Sequence, residues 1–369
     1  MRKIRYAVVG LGHITQVAVL PAFAHAKNSE LVAFFSDDQK KLKALGRKYG
    51  VKGLYSYDQY EEVLNRGEVD AVYIALPNHL HREYTVRAAN CGVHILCEKP
   101  MAVTSEDCEA MIEATRENRV KLMIAYRLHF EEANLSAIDW VEKKKIGDAR
   151  IFESVFTQAV PDENIRLSSR EKGGGPTYDV GIYCINAARY LFQAEPECVM
   201  AMAANGNERK FKNAEESISV VMKFSGERIA TFTCSFGTVA ESQYRVLGKK
   251  GEVFMDNAYS YAKDIEQTIT INGKEKRKTF KKRDQFAPEL AYFSNCILKG
   301  TEPEPNGLEG LADIRVIEAI QQSVDLGSVV RVEPVRKRSR PGLRQEMHFP
   351  PVEEPKDLVE VEAPSKKTA

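Results

Sequence analysis

Several groups of residues in this 369-residue chain have types and spacings suited to chemistry. The first is the turn Gly10-Leu11-Gly12-His13-Ile14, which follows a β-branched run and opens a helical one. Glycines at such a turn let the backbone approach a pyrophosphate held at a helix N-terminus. Gly10, Gly12, His13 and Ile14 are therefore expected to bind a dinucleotide, although the third position of the usual fingerprint is Thr15 rather than Gly or Ala. The second group ends the next strand. Ser36 stands where an NAD site usually places a carboxylate for the ribose 2′-hydroxyl, and Lys41 follows within a helical turn. A hydroxyl and an ammonium suit a 2′-phosphate, which points to NADP. Asp37 and Asp38 are the competing groups, since either carboxylate could turn in to hold an NAD ribose.

The third group is Glu98-Lys99-Pro100, at the carboxyl end of a parallel strand, beside the crevice where a nicotinamide must sit. A lysine there can donate to a substrate oxygen. Pro100 fixes the backbone, and the Lys99-Pro100 bond is a candidate for the cis form. The fourth is Asp179 with Tyr183, after Gly173-Gly174-Gly175. Four residues apart in a helical run, their side chains share one face.

Positioning these groups needs two kinds of scaffold. From Ile4 to about Ala125 short strands (Ile4 to Val9, Leu31 to Phe35, Ala71 to Leu76, His94 to Cys97, Lys121 to Ala125) alternate with helical stretches (Asp38 to Tyr49, Leu80 to Asn90, Ser105 to Asn118 after a Thr104 cap). This alternation predicts an α/β Rossmann domain, a parallel sheet covered on both faces, over residues 1–125. Beyond it, Val-, Ile-, Phe- and Thr-rich runs separated by turn signals (Ala149 to Gln158, Ser217 to Phe224, Arg228 to Phe236, Tyr244 to Leu247, Gly251 to Met255) predict an α+β domain over 126–332 with a large, mostly antiparallel open sheet. Helices look scarce after Arg189, apart from one at about Leu308 to Ser323. If both sheet faces carry apolar residues, one needs cover from a second copy, giving a homodimer or homotetramer. Residues 333–369 read as a charged, Pro-rich tail, solvated or laid over a neighbouring subunit.

Lys plus Arg number 53 against 52 Asp plus Glu, so no net field draws the chain to nucleic acid or an anionic membrane. No apolar run approaches the roughly 18 residues of a membrane span. The seven cysteines form no CxxC pair and no Cys/His cluster with metal-ligand spacing, so no metal is expected and the thiols are expected to be reduced. The first strand begins almost at the start of the sequence, which leaves no room for a signal peptide; the expected location is cytoplasmic.

The segments VVGLG, Leu76-Pro77-Asn78-His79-Leu80-His81, CEKPM and GGGPTYDVGIYCINAARYLF together resemble the Gfo/Idh/MocA family, and within it the glucose-fructose oxidoreductase type, from about Ile4 to Val332. The resemblance implies a Rossmann domain, a sheet domain that forms the dimer interface, and NADP held by Ser36 and Lys41. It makes Lys99, Asp179 and Tyr183 the catalytic set, and it adds Leu76, Pro77, Asn78, His81, Glu98, Arg127 and Arg166 to the residues lining the cofactor cleft. The implied activity is hydride exchange between NADP and a sugar, by aldose C1 oxidation to the lactone or reduction of a sugar carbonyl. Tyr183 would act as base, Lys99 would stabilise the phenolate, and Asp179 would accept from sugar hydroxyls. The alternatives are a dehydrogenase of cyclic polyols or dihydrodiols and a non-catalytic NADP-binding regulator.

Overall fold

The computed structural model describes residues 2–337, 339–353, 355 and 357–361. They form two compact units. The first comprises Met1–Arg127, Arg283–Gly310 and His348–Ala363. Its strands are β1 (Ile4–Val9), β2 (Ser29–Phe35), β3 (Gly53–Tyr55), β4 (Ala71–Ile74), β5 (His94–Glu98) and β6 (Leu122–Ala125). They pair in the order β3-β2-β1-β4-β5-β6, all parallel. This is the doubly wound order whose switch point lies at the carboxyl end of β1. Every residue of β4 and β6 is buried, as expected of parallel strands covered on both faces.

Local signals set the ends of its helices. Asp38 caps Gln39–Tyr49, which stops at Gly50 in the left-handed region (φ +69°). Thr104 accepts from the Asp107 N–H at the start of Ser105–Glu117.

The second unit is built from Leu128–Lys282 and Leu311–Met347. Its strands are β7 (Ala149–Thr157), β8 (Pro196–Ala204), β9 (Ser217–Phe224), β10 (Arg228–Ser235), β11 (Glu241–Gly248), β12 (Gly251–Asp256), β13 (Ile265–Ile271), β14 (Lys274–Phe280) and β15 (Val330–Arg331). The order is β14-β13-β12-β11-β7-β10-β9-β8-β15; only β10 and β7 run parallel. Alternation along β9 buries Ile218, Val220, Met222 and Phe224, while Val221 faces out. Helices Glu132–Glu142 and Ile182–Phe192 pack together and lie against β13 and β7 respectively. The other face carries Ile151, Met200, Met202, Val221 and Ile229, all exposed. Met200 stands opposite Val221, and Ile229 opposite Ile151.

The sequence reading differs from this in identifiable places. The edge strand β3 has only three residues, too few for periodicity to show. Strand β14 reads KEKRKTF, a charged edge that avoids edge-to-edge pairing and hides the strand signal. Helices are not scarce after Arg189: the long Ala287–Lys299 was not expected, and it joins Gly307–Leu326, which matches the helix expected at about Leu308 to Ser323. The first of these packs against β1 and β2, where the Ser294 hydroxyl lies 2.9 Å from that of Tyr6 and 2.8 Å from that of Ser29. The first unit therefore recruits chain far beyond residue 125. Described residues of the segment after 333 are tied to the body of each unit by hydrogen bonds, whereas a solvated or neighbour-covering tail was expected. Arg340 donates to Glu195 and to the Arg189 carbonyl within the second unit, and the Asp284 N–H donates to the Phe349 carbonyl within the first.

Candidate active site

At the switch point Gly10 has φ +96°, and a Cβ there would lie 2.5 Å from the Ala75 carbonyl oxygen. Close approach of β1 to the chain leaving β4 thus excludes any side chain. At Gly12 a Cβ would meet nothing within 4 Å, so the fold does not require that glycine. The open space beside it, at the start of a helical run, suits a pyrophosphate. Thr15 replaces the third glycine usefully: its hydroxyl donates to the Gly10 carbonyl at 2.9 Å, and the helix is π-wound from Thr15 to Val19.

At the end of β2 the buried Ser36 donates its N–H to the Tyr55 carbonyl, and its hydroxyl oxygen accepts from the Asp38 N–H at 3.1 Å. The Asp38 carboxylate accepts from the Lys40 and Lys41 N–H groups, each at 3.0 Å, and lies 3.4 Å from the Lys41 ammonium. The Lys41 N–H in particular holds its carboxyl below the usual range. Asp37 accepts from the Tyr57 N–H at 3.1 Å. Both carboxylates that compete for an NAD ribose are therefore engaged as turn and cap groups, with the Ser36 hydroxyl and the Lys41 ammonium gathered about Asp38 at this strand end.

Lys99 follows β5, and its bond to Pro100 is cis. Beneath it the buried Tyr73 donates to Glu98 at 2.7 Å. Loss of hydration raises the Glu98 carboxyl, against the Tyr73 hydrogen bond and the charges of Lys99 and Arg127. Glu289, 1% exposed, is raised by burial and then by the Glu98 charge. Arg127 is buried and bonded to Gln285, which makes it part of this acidic cluster. The His81 ring, fully buried, places its nitrogens 2.9 Å from the Pro100 carbonyl oxygen and 2.8 Å from that of Leu76. His81 was expected to line the cofactor. Both ring nitrogens instead face main-chain oxygens, so it staples the Leu76-Pro77-Asn78 turn to the Lys99-Pro100 turn. Burial lowers its pKa, against those carbonyls.

In the second unit a Cβ on Gly174 would fall 1.8 Å from the Ser168 carbonyl oxygen, so this glycine lets the loop fold back on itself. The following turn, Thr177–Gly181, is π-wound before the α-helix Ile182–Phe192. Along this otherwise buried run, Asp179 and Tyr183 keep partial exposure while Tyr178, Val180, Ile182 and Cys184 do not. Arg166, expected beside the cofactor, donates through Nε to Asp179 at 2.6 Å, and Gln158 donates to the same oxygen at 3.2 Å. The Tyr183 ring packs edge-on to Phe156 (5.5 Å) and against Tyr259 (5.8 Å). Gln158, Phe156 and Tyr259, like Glu289 and Tyr73, were not singled out in the sequence. They lie outside any motif and become neighbours only through pairing of distant segments.

Residues 4–126 match the model of the Gfo/Idh/MocA oxidoreductase family with an NAD-binding Rossmann fold, and residues 135–254 match that of the Gfo/Idh/MocA C-terminal domain. The chain belongs to the Gfo/Idh/MocA family. Among curated relatives, D-xylose 1-dehydrogenase [NADP(+)] of Haloarcula marismortui is 32% identical over 336 residues, 89% of this chain and 93% of the relative. Among solved structures, aldose-aldose oxidoreductase from Caulobacter crescentus, complexed with glycerol, is 37% identical with a TM-score of 0.85, over 89% of this chain and all of that one. A 3-ketoreductase from Actinomadura kijaniata, in complex with NADP and TDP-benzene, is 25% identical with a TM-score of 0.80, over 87% and 98% of the two chains. This family member is an oxidoreductase. None of its described helices is long and apolar enough to cross a membrane.

Proposed function

We propose that the protein is an NADP-dependent sugar oxidoreductase that oxidises an aldose at C1 or reduces a sugar carbonyl. The observation that supports the cofactor choice is the end of β2, where Ser36 and Lys41 are gathered about Asp38 and both carboxylates already accept from the Tyr57 N–H and the helix-cap N–H groups. The named activities of the Haloarcula and Caulobacter relatives support a sugar as substrate. Gly10, Gly12, His13 and Ile14 would hold the pyrophosphate, Ser36 and Lys41 the 2′-phosphate, and the Leu76-Pro77-Asn78 turn and Glu98-Lys99 the nicotinamide end.

Bound NADP⁺ supplies the electron sink that takes the hydride from the sugar carbon. Tyr183 takes the hydroxyl proton as that carbon becomes a carbonyl, and the Lys99 ammonium stabilises the phenolate and orients the substrate oxygen. Asp179, held by Arg166 and Gln158, accepts from sugar hydroxyls. A screen of aldoses and ketoses with NADP⁺ and NADPH tests the reading; turnover of cyclic polyols or dihydrodiols in preference to sugars would overturn the substrate assignment.

Self-association through the outer face of the nine-stranded sheet follows from Ile151, Met200, Met202, Val221 and Ile229, an apolar patch of the kind that marks an interface. Met202, 73% exposed, is the position to alter. Light scattering should show a dimer or tetramer that Met202→Lys weakens, and a wild-type monomer at micromolar concentration would refute it. The seven cysteines, none of them paired in a disulfide, suit a reducing, cytosolic compartment.

A further inference from the structure

The C-terminal segment reaches the dinucleotide half-site described above. It joins the first unit at Phe349, whose ring stacks on His25 at 6.2 Å, and whose carbonyl accepts from the Asp284 N–H at 3.3 Å. Further on, Val359 is gripped at both backbone groups by one side chain. Its N–H donates to Gln16 Oε1 at 2.8 Å, and its carbonyl accepts from Gln16 Nε2 at 3.0 Å. Gln16 is 2% exposed and uses the same amide nitrogen to donate to the Leu11 carbonyl at 3.0 Å, so the segment is clipped to the middle residue of the glycine turn. The next residue, Glu360, sits in the left-handed region (φ +48°) and pairs with the Lys40 ammonium at 2.9 Å. Lys40 adjoins Lys41 at the start of the helix after β2.

These two fastenings lie at the two features that bracket the adenosine half of a dinucleotide, the glycine turn and the end of β2. A segment tied to both runs from one to the other. The two-point amide pairing is the stronger tie, because it makes two part-buried hydrogen bonds to the side chain of the buried Gln16, whose amide would lose both partners if the segment lifted. The exposed Lys40–Glu360 pair adds little by itself but fixes where the carboxylate sits.

We propose that Leu358–Val361 is a strap latched across the adenosine half of the dinucleotide site, which a nucleotide must lift in order to enter or leave, so that the strap sets the rate of cofactor exchange. This rests on the NADP site proposed above. The strap belongs to the chain itself, so its effect is independent of protein concentration.

The test is the release rate of NADPH from the full-length protein, followed by fluorescence after a chase with excess NADP⁺. Gln16→Leu, which removes the clip while keeping the side chain's bulk, should speed release about ten-fold, the factor corresponding to about 1.4 kcal/mol. A chain ended after Glu353, which leaves the glycine turn untouched, should do the same if Gln16→Leu folds poorly. Hydrogen exchange at the Val359 amide should be slow in the wild type, faster in Gln16→Leu, and slower still with NADPH bound. Release at the wild-type rate from both variants, with NADPH still binding, would overturn the strap alone. Failure of the wild type to bind NADPH at all would remove the nucleotide site and the strap with it.

Discussion

Asp38, Ser36 and the Gly10 carbonyl in the nucleotide half-site are held by neighbours in sequence, although Asp37, Lys40 and Gln16 there reach Tyr57, Glu360 and Val359, whereas the charged groups of the second unit are held mainly across longer stretches of chain. Asp38 is fixed by Lys40 and Lys41, Ser36 by Asp38, and the Gly10 carbonyl by Thr15. In the second unit Asp179 needs Arg166, thirteen residues away. The fully buried Arg189 needs Asp313, 124 residues on, and Glu195 binds Arg340 from 145 residues on. A half-site built from local contacts can change its ligand preference by substitution without disturbing the fold. One built from long-range pairs ties the chemistry to the integrity of the whole unit.

The largest expected effect tests the chemical assignment in the second unit. Tyr183→Phe keeps the packing against Phe156 and Tyr259 and removes the proton acceptor, so turnover should fall by about 10² to 10⁴ with NADP binding unchanged. Lys99→Met should lose a similar factor, and the double variant much less than the product, because Lys99 is proposed to work through Tyr183. Near wild-type turnover by Tyr183→Phe, measured at steady state, would sink the mechanism.

A second effect, on stability, bears on the long-range pairs. Burial opposes ionisation of Glu195, but the charge and hydrogen bonds of Arg189, with the charge of Arg340, hold its pKa at about 2. A depressed carboxylate pKa contributes stability that is present above the unfolded value, about 4.3, and lost as pH falls through the folded one. Glu195→Gln should therefore destabilise by about 3 kcal/mol at pH 7, and the gap to wild type should close between about pH 4.3 and about pH 2. Denaturant titrations across that range would show it; a gap independent of pH would mean the pair contributes no net ionic stabilisation.

The smallest effect concerns the local half-site. Ser36→Asp with Lys41→Ala should shift preference from NADP toward NAD by about ten-fold to a hundred-fold, the value of one charge-assisted contact, with no loss of thermal stability beyond a weakened helix start. Equal wild-type affinities for the two nucleotides would break the comparison at its simpler end.

The chain's own order of residues determined the nucleotide half of this protein. A β-branched strand, a glycine turn and a capped helix, repeated, admit essentially one parallel topology. The residues at its strand ends, Gly10, Ser36 and Lys99, were legible because their positions follow from that topology. Tertiary structure alone decided what surrounds Tyr183 and Asp179, that His81 joins two turns, and that chain from 283–310 and the described residues of 348–361 return to the first unit. Those outcomes depend on contacts between separate segments, 13 and 21 residues apart at Asp179, 19 between His81 and Pro100, and 288 between Tyr6 and Ser294. No local periodicity records them, because each segment needs only an apolar or polar face and carries no mark of which partner that face will meet.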